Sequence, residues 1–178
     1  MHKNIDHVLL TEKEIACKVK ELADKLNKDF AGKELHCVCV LKGAVIFFSN
    51  LVQQLDMPVS FDFMIVSSYY DKTVSDGTLI IKKDLEQDIK GKNVVIIEDI
   101  LDTGNTLNKL KEELLKREPA TLSLCCLLDK PSRRTADIKS DYVGFEIPDE
   151  FVVGYGLDFD EKYRHLPYIG VLKPECYE

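Results

Sequence analysis

The chain has 178 residues, of which 45% are hydrophobic and 31% are charged. These proportions are typical of one globular domain, so we expect residues 1–178 to form a single domain. The formal net charge is −7. Binding to the phosphates of nucleic acid normally needs a basic stripe, so this charge argues against a nucleic-acid partner.

The cysteines and the N-terminus indicate where the protein works. None of the six cysteines lies in a C-x-x-C pair, which argues against a structural zinc site, and free thiols suit a reducing compartment. The first ten residues lack the apolar run of a signal peptide, and no segment approaches the length of a membrane span. We therefore expect a cytoplasmic protein with no membrane partner.

The first part of the chain predicts alternating helices and strands. Thr11 and Glu14 have the spacing of a capping box, and apolar residues follow them at helical intervals. Residues 35–41 predict a buried strand, residues 44–55 an apolar helix, and residues 59–66 a second strand.

The middle of the chain continues this alternation after a long polar segment. Residues 67–77 bear tyrosines and lack periodicity, so they predict a long loop of the kind that often carries function. Residues 78–82 predict a short strand, 94–97 a strand covered on both faces, 107–116 a helix, and 121–128 another buried strand. The alternation predicts an α/β fold with a mainly parallel central sheet flanked by helices.

The part of the chain after Asp129 differs in character. It contains several prolines and tyrosines and only short apolar pieces, such as residues 142–145 and 151–153. We expect it to form a small lobe over the edge of the sheet.

Residues 94–107, VVIIEDILDTGNTL, combine a buried strand, a polar turn and the start of a helix. In open parallel sheets, ligands bind beyond the carboxyl ends of the strands. The turn is small and rich in hydroxyl groups, and its backbone N–H groups, together with the helix N-terminus, suit a phosphate. It consists of Thr103, Gly104, Asn105 and Thr106.

Three carboxylates, Glu98, Asp99 and Asp102, lie within five residues of one another. Without compensation they would repel one another, whereas a divalent cation or sugar hydroxyls would account for them. The simpler alternative is a helix N-cap and a solvated acidic turn. That alternative suits Asp102 or Thr103 alone better than it suits the whole segment.

Two other motifs share parts of this segment. Asp102-Thr103-Gly104 is the aspartic-protease triplet, but that fold is all-β and needs two such loops facing each other. Asp99 and Asp102 resemble the acids of haloacid-dehalogenase phosphatases, in which the second aspartate follows the first by two positions, not three. Both alternatives fail on this context.

Two acids after an apolar strand, followed by D-[TS]-G-x-T-L, resemble the phosphoribosyl-pyrophosphate motif of type I phosphoribosyltransferases. Leu41-Lys42-Gly43 resembles the pyrophosphate loop, and Ser68-Tyr69 resembles the start of the mobile catalytic loop. Leu128-Asp129-Lys130-Pro131 follows in the expected order. Residues 144–158 and 163–166 are similar to the 6-oxopurine branch, so nearly the full length resembles the hypoxanthine(-guanine) phosphoribosyltransferase family.

The resemblance implies an enzyme of purine salvage that uses Mg2+ as cofactor. Such an enzyme transfers the 5-phosphoribosyl group from phosphoribosyl pyrophosphate to hypoxanthine and guanine, and it releases pyrophosphate. The resemblance also implies a small hood lobe built from N- and C-terminal segments. Because family members usually associate, it implies a homo-oligomer, either a dimer or a tetramer.

The resemblance implies roles for individual residues of the central motif. Glu98 and Asp99 would hold the ribose hydroxyls and the metal, and Asp102 would be the general base near the purine imidazole nitrogen. The 5′-phosphate would bind to Thr103, Gly104, Asn105 (a variable position) and Thr106.

Residues outside the motif would bind pyrophosphate and purine. The residues implied to bind pyrophosphate are Lys42, Gly43, Ser68, Tyr69 and Arg164. The residues implied to bind the purine are Lys130, Phe151, Val152 and Asp158, and Asp158 would also lie near a second metal. Lys130 would donate to the 6-oxo group, since an ammonium suits a carbonyl better than the amino group of adenine. Taken alone, Lys42 is more often a solvated lysine, and Phe151 and Val152 are more often core residues.

Other functions are compatible with the same fold. A non-catalytic, nucleotide-sensing regulator would bind RNA or a repressor partner, but the net charge argues against RNA and the retention of Asp102, Lys42 and Arg164 favours catalysis. A transferase acting on adenine or orotate is disfavoured by Lys130.

Residues 67–77 would close over the site and exclude water.

Overall fold

A mixed sheet organises the part of the chain that the computed structural model describes, residues 1–69 and 78–177. Predictions for residues 70–77 and for the side chains of Ser68 and Tyr69 lie outside the described residues. Two short 3-10 turns, Pro131–Arg133 and Pro174–Cys176, follow later strands. The main elements are β1 (Ile5–Leu10), α1 (Glu12–Asp29), β2 (Leu35–Val40), α2 (Val45–Val52), β3 (Val59–Tyr69), β4 (Thr78–Lys83), β5 (Asn93–Leu101), α3 (Asn105–Leu115), β6 (Thr121–Asp129), β7 (Tyr142–Glu146), β8 (Val152–Val153) and β9 (Ile169–Leu172).

The main sheet has the strand order β4-β3-β2-β5-β6-β7. Its neighbouring strands run parallel except for β4, which pairs antiparallel with β3. β2 and β5 lie at the centre, and β2 is buried along its whole length, as expected for a strand covered on both faces. The predicted α/β fold with a mainly parallel sheet is confirmed.

The helices cover both faces of this sheet. Side chains alternate along β2, so that Cys37 and Cys39 pack in the core with α1 and α2, while Val38 and Val40 pack in the core with α3. At the start of α1 the predicted capping box is present, because the Thr11 hydroxyl accepts from the Glu14 amide at 3.3 Å. In the described part of the chain, no helix combines the length and apolar character needed to cross a bilayer.

A second, smaller sheet forms the hood. It has the order β1-β9-β8 with antiparallel pairing, so it joins the N-terminal strand to two C-terminal ones. Ile5, Val153, Tyr163, Leu166 and Leu172 form its own small core. The predicted hood lobe of N- and C-terminal segments is confirmed.

Several predicted boundaries were wrong. β5 continues to Leu101, so Glu98 lies within the strand, where it pairs with Cys126 of β6. β3 continues to Tyr69 because its polar end pairs with β4, with Ser67 opposite Ile80. Hydrogen bonds to a neighbouring strand, rather than side-chain polarity, set these ends.

Further differences affect the helices and the last part of the chain. α3 begins two residues earlier than predicted, and α2 ends at Val52 rather than near residue 55. Residues 142–145 belong to the main sheet as β7, not to the lobe. The Tyr142 hydroxyl donates to Asp29 at the end of α1, so the aromatic ring bridges the sheet edge and the helix.

A buried carboxylate ties β3 to the segment after β4. Asp62 accepts hydrogen bonds from the backbone amides of Phe63, Glu86 and Gln87 at 2.7, 2.6 and 3.1 Å. Burial alone would raise the pKa of Asp62, but the three amides and the nearby Lys83 ammonium outweigh it and lower that pKa. The charged form of Asp62 therefore stabilises the folded state.

We predict that Asp62→Asn lowers the free energy of unfolding at pH 7 by about 1–3 kcal/mol, because an amide NH2 would face a backbone N–H. The wild-type contribution is present above the unfolded-state pKa of about 4 and is lost as pH falls through the lower folded-state pKa. Denaturant unfolding between pH 7 and pH 2 should therefore show a shallower acid loss in the variant. The control is Asp24→Asn, an exposed carboxylate paired with Lys20; equal pH slopes for wild type and Asp62→Asn would contradict the prediction.

Candidate functional site

The candidate residues gather at the carboxyl ends of β2, β5 and β6. Two cavities of about 210 and 420 Å³ open there, and Ile100 and Asp102 line both of them. A larger cavity of about 530 Å³ lies between α1, α2 and the hood, away from these acids. We place the site at the two smaller cavities because carboxylates and cations converge on them.

The smaller cavity is a pocket at the start of α3. Glu98, Asp102, Thr103, Gly104 and Thr106 line it together with apolar side chains. Gly104 has φ +84°, and an added Cβ would lie 2.5 Å from the Ile138 side chain, so only glycine fits this turn. A glycine N-cap supplies no capping side chain, which leaves the helix dipole directed at the pocket.

Two carboxylates lie next to each other here, with Glu98 in the lining of the pocket and Asp99 behind it. Burial raises the pKa of Glu98 well above its usual range, and the neighbouring charge of Asp99 raises it further. Burial also raises the pKa of Asp99, although hydrogen bonds from Glu98 and the Ile100 amide and the charge of Arg164 partly oppose this. Such a pair is compensated when a cation or several hydroxyl donors approach it.

The loop between β2 and α2 touches these carboxylates through a glycine. A Cβ added at Gly43 would lie 1.6 Å from Oδ2 of Asp99. The Leu41–Lys42 peptide bond before it is cis. On the other side, a Cβ at Gly156 would lie 2.0 Å from the carbonyl oxygen of Gly43. Two backbone segments and the Asp99 carboxylate therefore meet at these two glycines.

A group of charged side chains lies beside this contact. Arg164 donates to the carbonyl oxygen of Gly156 at 2.7 Å and pairs with Asp158 at 2.9 Å. Lys42 pairs with Glu161 at 2.9 Å. The hydrogen bond from Lys42 is the main reason that the pKa of Glu161 is lowered.

The 420 Å³ cavity has a cationic and aromatic wall. Lys130 is buried, and its ammonium donates to the carbonyl oxygen of Glu150 at 2.6 Å. Burial lowers the pKa of Lys130. Phe151 stacks on Tyr177 with ring centroids 4.8 Å apart and planes 20° apart, and Val152 completes this side of the cavity.

Two arginines hold the turn that carries Asp102. Nε of Arg133 lies 2.8 Å from Oδ1 of Asp102. Arg134 donates to the carbonyl oxygens of Leu101 and Asp102 at 3.0 and 2.9 Å and also pairs with Asp129. The 3-10 turn after β6 thus fastens the end of β5.

Comparisons with known proteins agree with this geometry. Residues 8–160 match the phosphoribosyl transferase domain family. The chain is 54% identical over 177 residues to a hypoxanthine-guanine phosphoribosyltransferase of Staphylococcus aureus, covering 99% of each. It is 48% identical over 177 residues to the protein of that name from Streptococcus thermophilus, covering 99% of this chain and 98% of the other. A crystal structure of a hypoxanthine phosphoribosyltransferase from Staphylococcus aureus matches with a TM-score of 0.96 at 54% identity, covering 100% of this chain and 97% of that chain.

The chain belongs to the hypoxanthine-guanine phosphoribosyltransferase family. The resemblance inferred from the sequence motifs is confirmed, as are the type I phosphoribosyltransferase fold and the 6-oxopurine branch. The chain is thus an enzyme of the glycosyltransferase class, as predicted.

The structure brings most of the predicted site residues of this family together. Four of the residues predicted to bind phosphoribose line the 210 Å³ pocket, namely Glu98, Thr103, Gly104 and Thr106. Asp99 lies behind it against Gly43, and Asn105 accepts from the Thr135 hydroxyl at 3.3 Å. Of the residues predicted to bind the purine, Lys130, Phe151 and Val152 line the 420 Å³ cavity. The fourth, Asp158, pairs with Arg164 instead.

Some residues at the site were not expected from the sequence. They are Arg133, Arg134, Tyr177 and Glu161. Arg133 and Arg134 follow Lys130 closely in the sequence, but their position relative to Asp102 depends on the parallel pairing of β5 with β6. Tyr177 reaches Phe151 only because the hood returns the C-terminus to the cavity.

We predict that Gly43→Ala lowers the turnover number about 10- to 100-fold, because the new methyl group would displace the Asp99 carboxylate from the reacting geometry. Steady-state rates with hypoxanthine and phosphoribosyl pyrophosphate measure this. Gly32→Ala is the control, since Gly32 has φ +73° with nothing within 4 Å of an added Cβ. That control should lose stability and keep activity; similar activity in both variants would refute the role of Gly43.

Proposed function

We propose that this chain transfers the 5-phosphoribosyl group of phosphoribosyl pyrophosphate to hypoxanthine and guanine in purine salvage, with Asp102 as the general base. The position of Asp102 carries the proposal, because this side chain lines both the phosphate-type pocket and the cationic, aromatic cavity. A purine in one cavity and a ribose 5-phosphate in the other would meet at this carboxylate.

Lys130 gives the purine cavity its selectivity. Its buried ammonium offers donors to a 6-oxo group, whereas the 6-amino group of adenine would leave it facing another donor. Phe151 supplies a ring face for the purine, and Val152 supplies backbone groups at its edge. The Glu150 carbonyl oxygen accepts a hydrogen bond from Lys130 at 2.6 Å, and it holds the ammonium in place when no purine is bound.

Asp102 moves the proton. As the imidazole nitrogen of the purine bonds to C1 of the ribose, the C1–O bond to pyrophosphate breaks, and Asp102 takes the proton from the purine ring. C1 carries positive charge in the transition state, and the carboxylates of Glu98 and Asp99 hold the ribose hydroxyls beside it. Thr103, Gly104 and Thr106 hold the 5′-phosphate.

The leaving pyrophosphate is held by Lys42 and Arg164, and Gly43 follows Lys42 in the same loop. Ser68 and Tyr69 complete this group of pyrophosphate-binding residues. Arg164 is already oriented by the Gly156 carbonyl and by Asp158, so little ordering is needed when a polyanion arrives.

The described residues fit Mg2+ only together with the substrate. Among residues 1–69 and 78–177 there is no group of three or more His, Cys, Asp or Glu side chains placed to hold a metal ion. Glu98 and Asp99, with their raised pKa values, would gain from a cation that takes its other oxygens from substrate and water, as Mg2+ commonly does. When bound, Mg2+ neutralises charge that develops on the leaving group.

Asp158 fits a supporting role better than a direct one. Both of its oxygens are engaged, one with Arg164 at 2.9 Å and the other with the backbone amide of Glu161 at 2.9 Å. We therefore propose that Asp158 orients Arg164, and that any contact with a second metal or the purine edge requires this pairing to open.

We propose a cytoplasmic enzyme that forms a single domain over residues 1–178 and associates as a homo-oligomer. Its partners are the small-molecule substrates, a 6-oxopurine and phosphoribosyl pyrophosphate, and not nucleic acid or a membrane.

We predict that Asp102→Asn lowers the turnover number with hypoxanthine about 100- to 10,000-fold, because the amide cannot take a proton. The KM for phosphoribosyl pyrophosphate should stay within a few-fold. Asp149→Asn is the matched control, since Asp149 lines the same cavity and pairs with Arg133 at 3.5 Å but has no part in proton transfer. Similar losses in the two variants, or a loss of Asp102→Asn confined to KM, would exclude Asp102 as the base.

A further inference from the structure

The two cations assigned to pyrophosphate already share an anion that belongs to the chain itself. One oxygen, Oε2 of Glu161, lies 2.9 Å from Nζ of Lys42 and 3.6 Å from Nη2 of Arg164. An oxygen of pyrophosphate that bridged the same two cations would occupy the same place. Glu161 and the substrate therefore cannot hold both cations in this way at the same time.

The backbone presents Glu161 to these cations in an unfavourable conformation. Asp160 and Glu161 have φ values of 52° and 59°, in the left-handed region that costs non-glycine residues free energy. A tight turn closed by hydrogen bonds between Phe159 and Lys162 at 3.0 and 3.2 Å keeps them there. The amide of Glu161 also donates to Asp158 at 2.9 Å, which fixes its direction.

Arg164 does not need Glu161 for its own orientation. The Gly156 carbonyl oxygen and the Asp158 carboxylate hold its guanidinium at 2.7 and 2.9 Å. The Glu161 side chain is 66% exposed, so its carboxylate can rotate into solvent without unfolding the turn. The contact is thus an addition to a formed site, and it is displaceable.

We propose that Glu161 is an internal competitor for the pyrophosphate group, holding Lys42 and Arg164 in the empty site and returning to them as pyrophosphate leaves. This inference rests on the proposed pyrophosphate role of these two cations. A competing anion weakens the binding of phosphoribosyl pyrophosphate and of free pyrophosphate alike. It therefore favours product release at the expense of substrate affinity.

The test is calorimetric titration of the full chain with pyrophosphate in the presence of Mg2+. Glu161→Gln should bind pyrophosphate about three- to tenfold more tightly than wild type, since the ion pairs of Glu161 with Lys42 and Arg164 no longer compete. The KM for phosphoribosyl pyrophosphate should fall in the same proportion, and the KM for hypoxanthine should not change.

Asp160→Asn is the matched control. It makes the same change in net charge one residue away, but Asp160 pairs with Lys162 at 2.8 Å and not with the site cations. Its affinity for pyrophosphate should stay within about twofold of wild type. Equal tightening in both variants would reduce the effect to net charge and overturn the inference, and weaker binding in Glu161→Gln would overturn it as well.

Lys42→Ala separates this inference from the function on which it rests. If Lys42→Ala weakens pyrophosphate binding and Glu161→Gln does not strengthen it, the pyrophosphate role stands and the competitor role is wrong. If Lys42→Ala has no effect, both are wrong. Should Glu161→Gln fail to fold, Glu161→Ala is titrated in its place with the same expected tightening.

Discussion

The site depends on the close packing of two backbone segments and the Asp99 carboxylate at two glycines. Gly43 lies against the Asp99 carboxylate, and Gly156 lies against the Gly43 carbonyl, so that a Cβ at either position would come within 2.0 Å of its neighbour. This packing joins the end of β5, the loop after β2 and the hood. As a result, the Arg164 guanidinium, assigned to pyrophosphate, lies close enough to the Asp99 carboxylate, assigned to ribose, for its charge to oppose the rise in the pKa of Asp99.

The chain itself supplies counter-charges around this contact. The half-buried acids of β5 repel one another, and the nearby cations are each paired with a carboxylate, Lys42 with Glu161 and Arg133 with Asp102. A substrate that carries both phosphates and hydroxyls can replace these internal partners with its own groups. Binding then exchanges one set of charge pairs for another, so that each of these cations keeps an anionic partner.

Local signals in the sequence were sufficient for much of the fold and the site. The capping box at Thr11 and the buried strand β2 are short-range features, and the sequence places both of them correctly to within one residue. The strand predictions that were wrong depend on distant pairing. The polar end of β3 is a strand because its backbone pairs with β4. Residues 142–145 are a strand because they pair with the outer edge of β6. Glu161 is invisible to motif reasoning because its partner Lys42 is 119 residues away.

The central claim is that packing at Gly156 aligns the pyrophosphate cations with the phosphoribose pocket. The direct measurement is the affinity of folded Gly156→Ala for two ligands, phosphoribosyl pyrophosphate and ribose 5-phosphate, by calorimetry with Mg2+. The account predicts that the variant binds phosphoribosyl pyrophosphate about tenfold or more weakly, through loss of charge-assisted contacts to Arg164 and Lys42, while ribose 5-phosphate binds within about twofold of wild type. Equal losses for both ligands, or no loss for either, would contradict it.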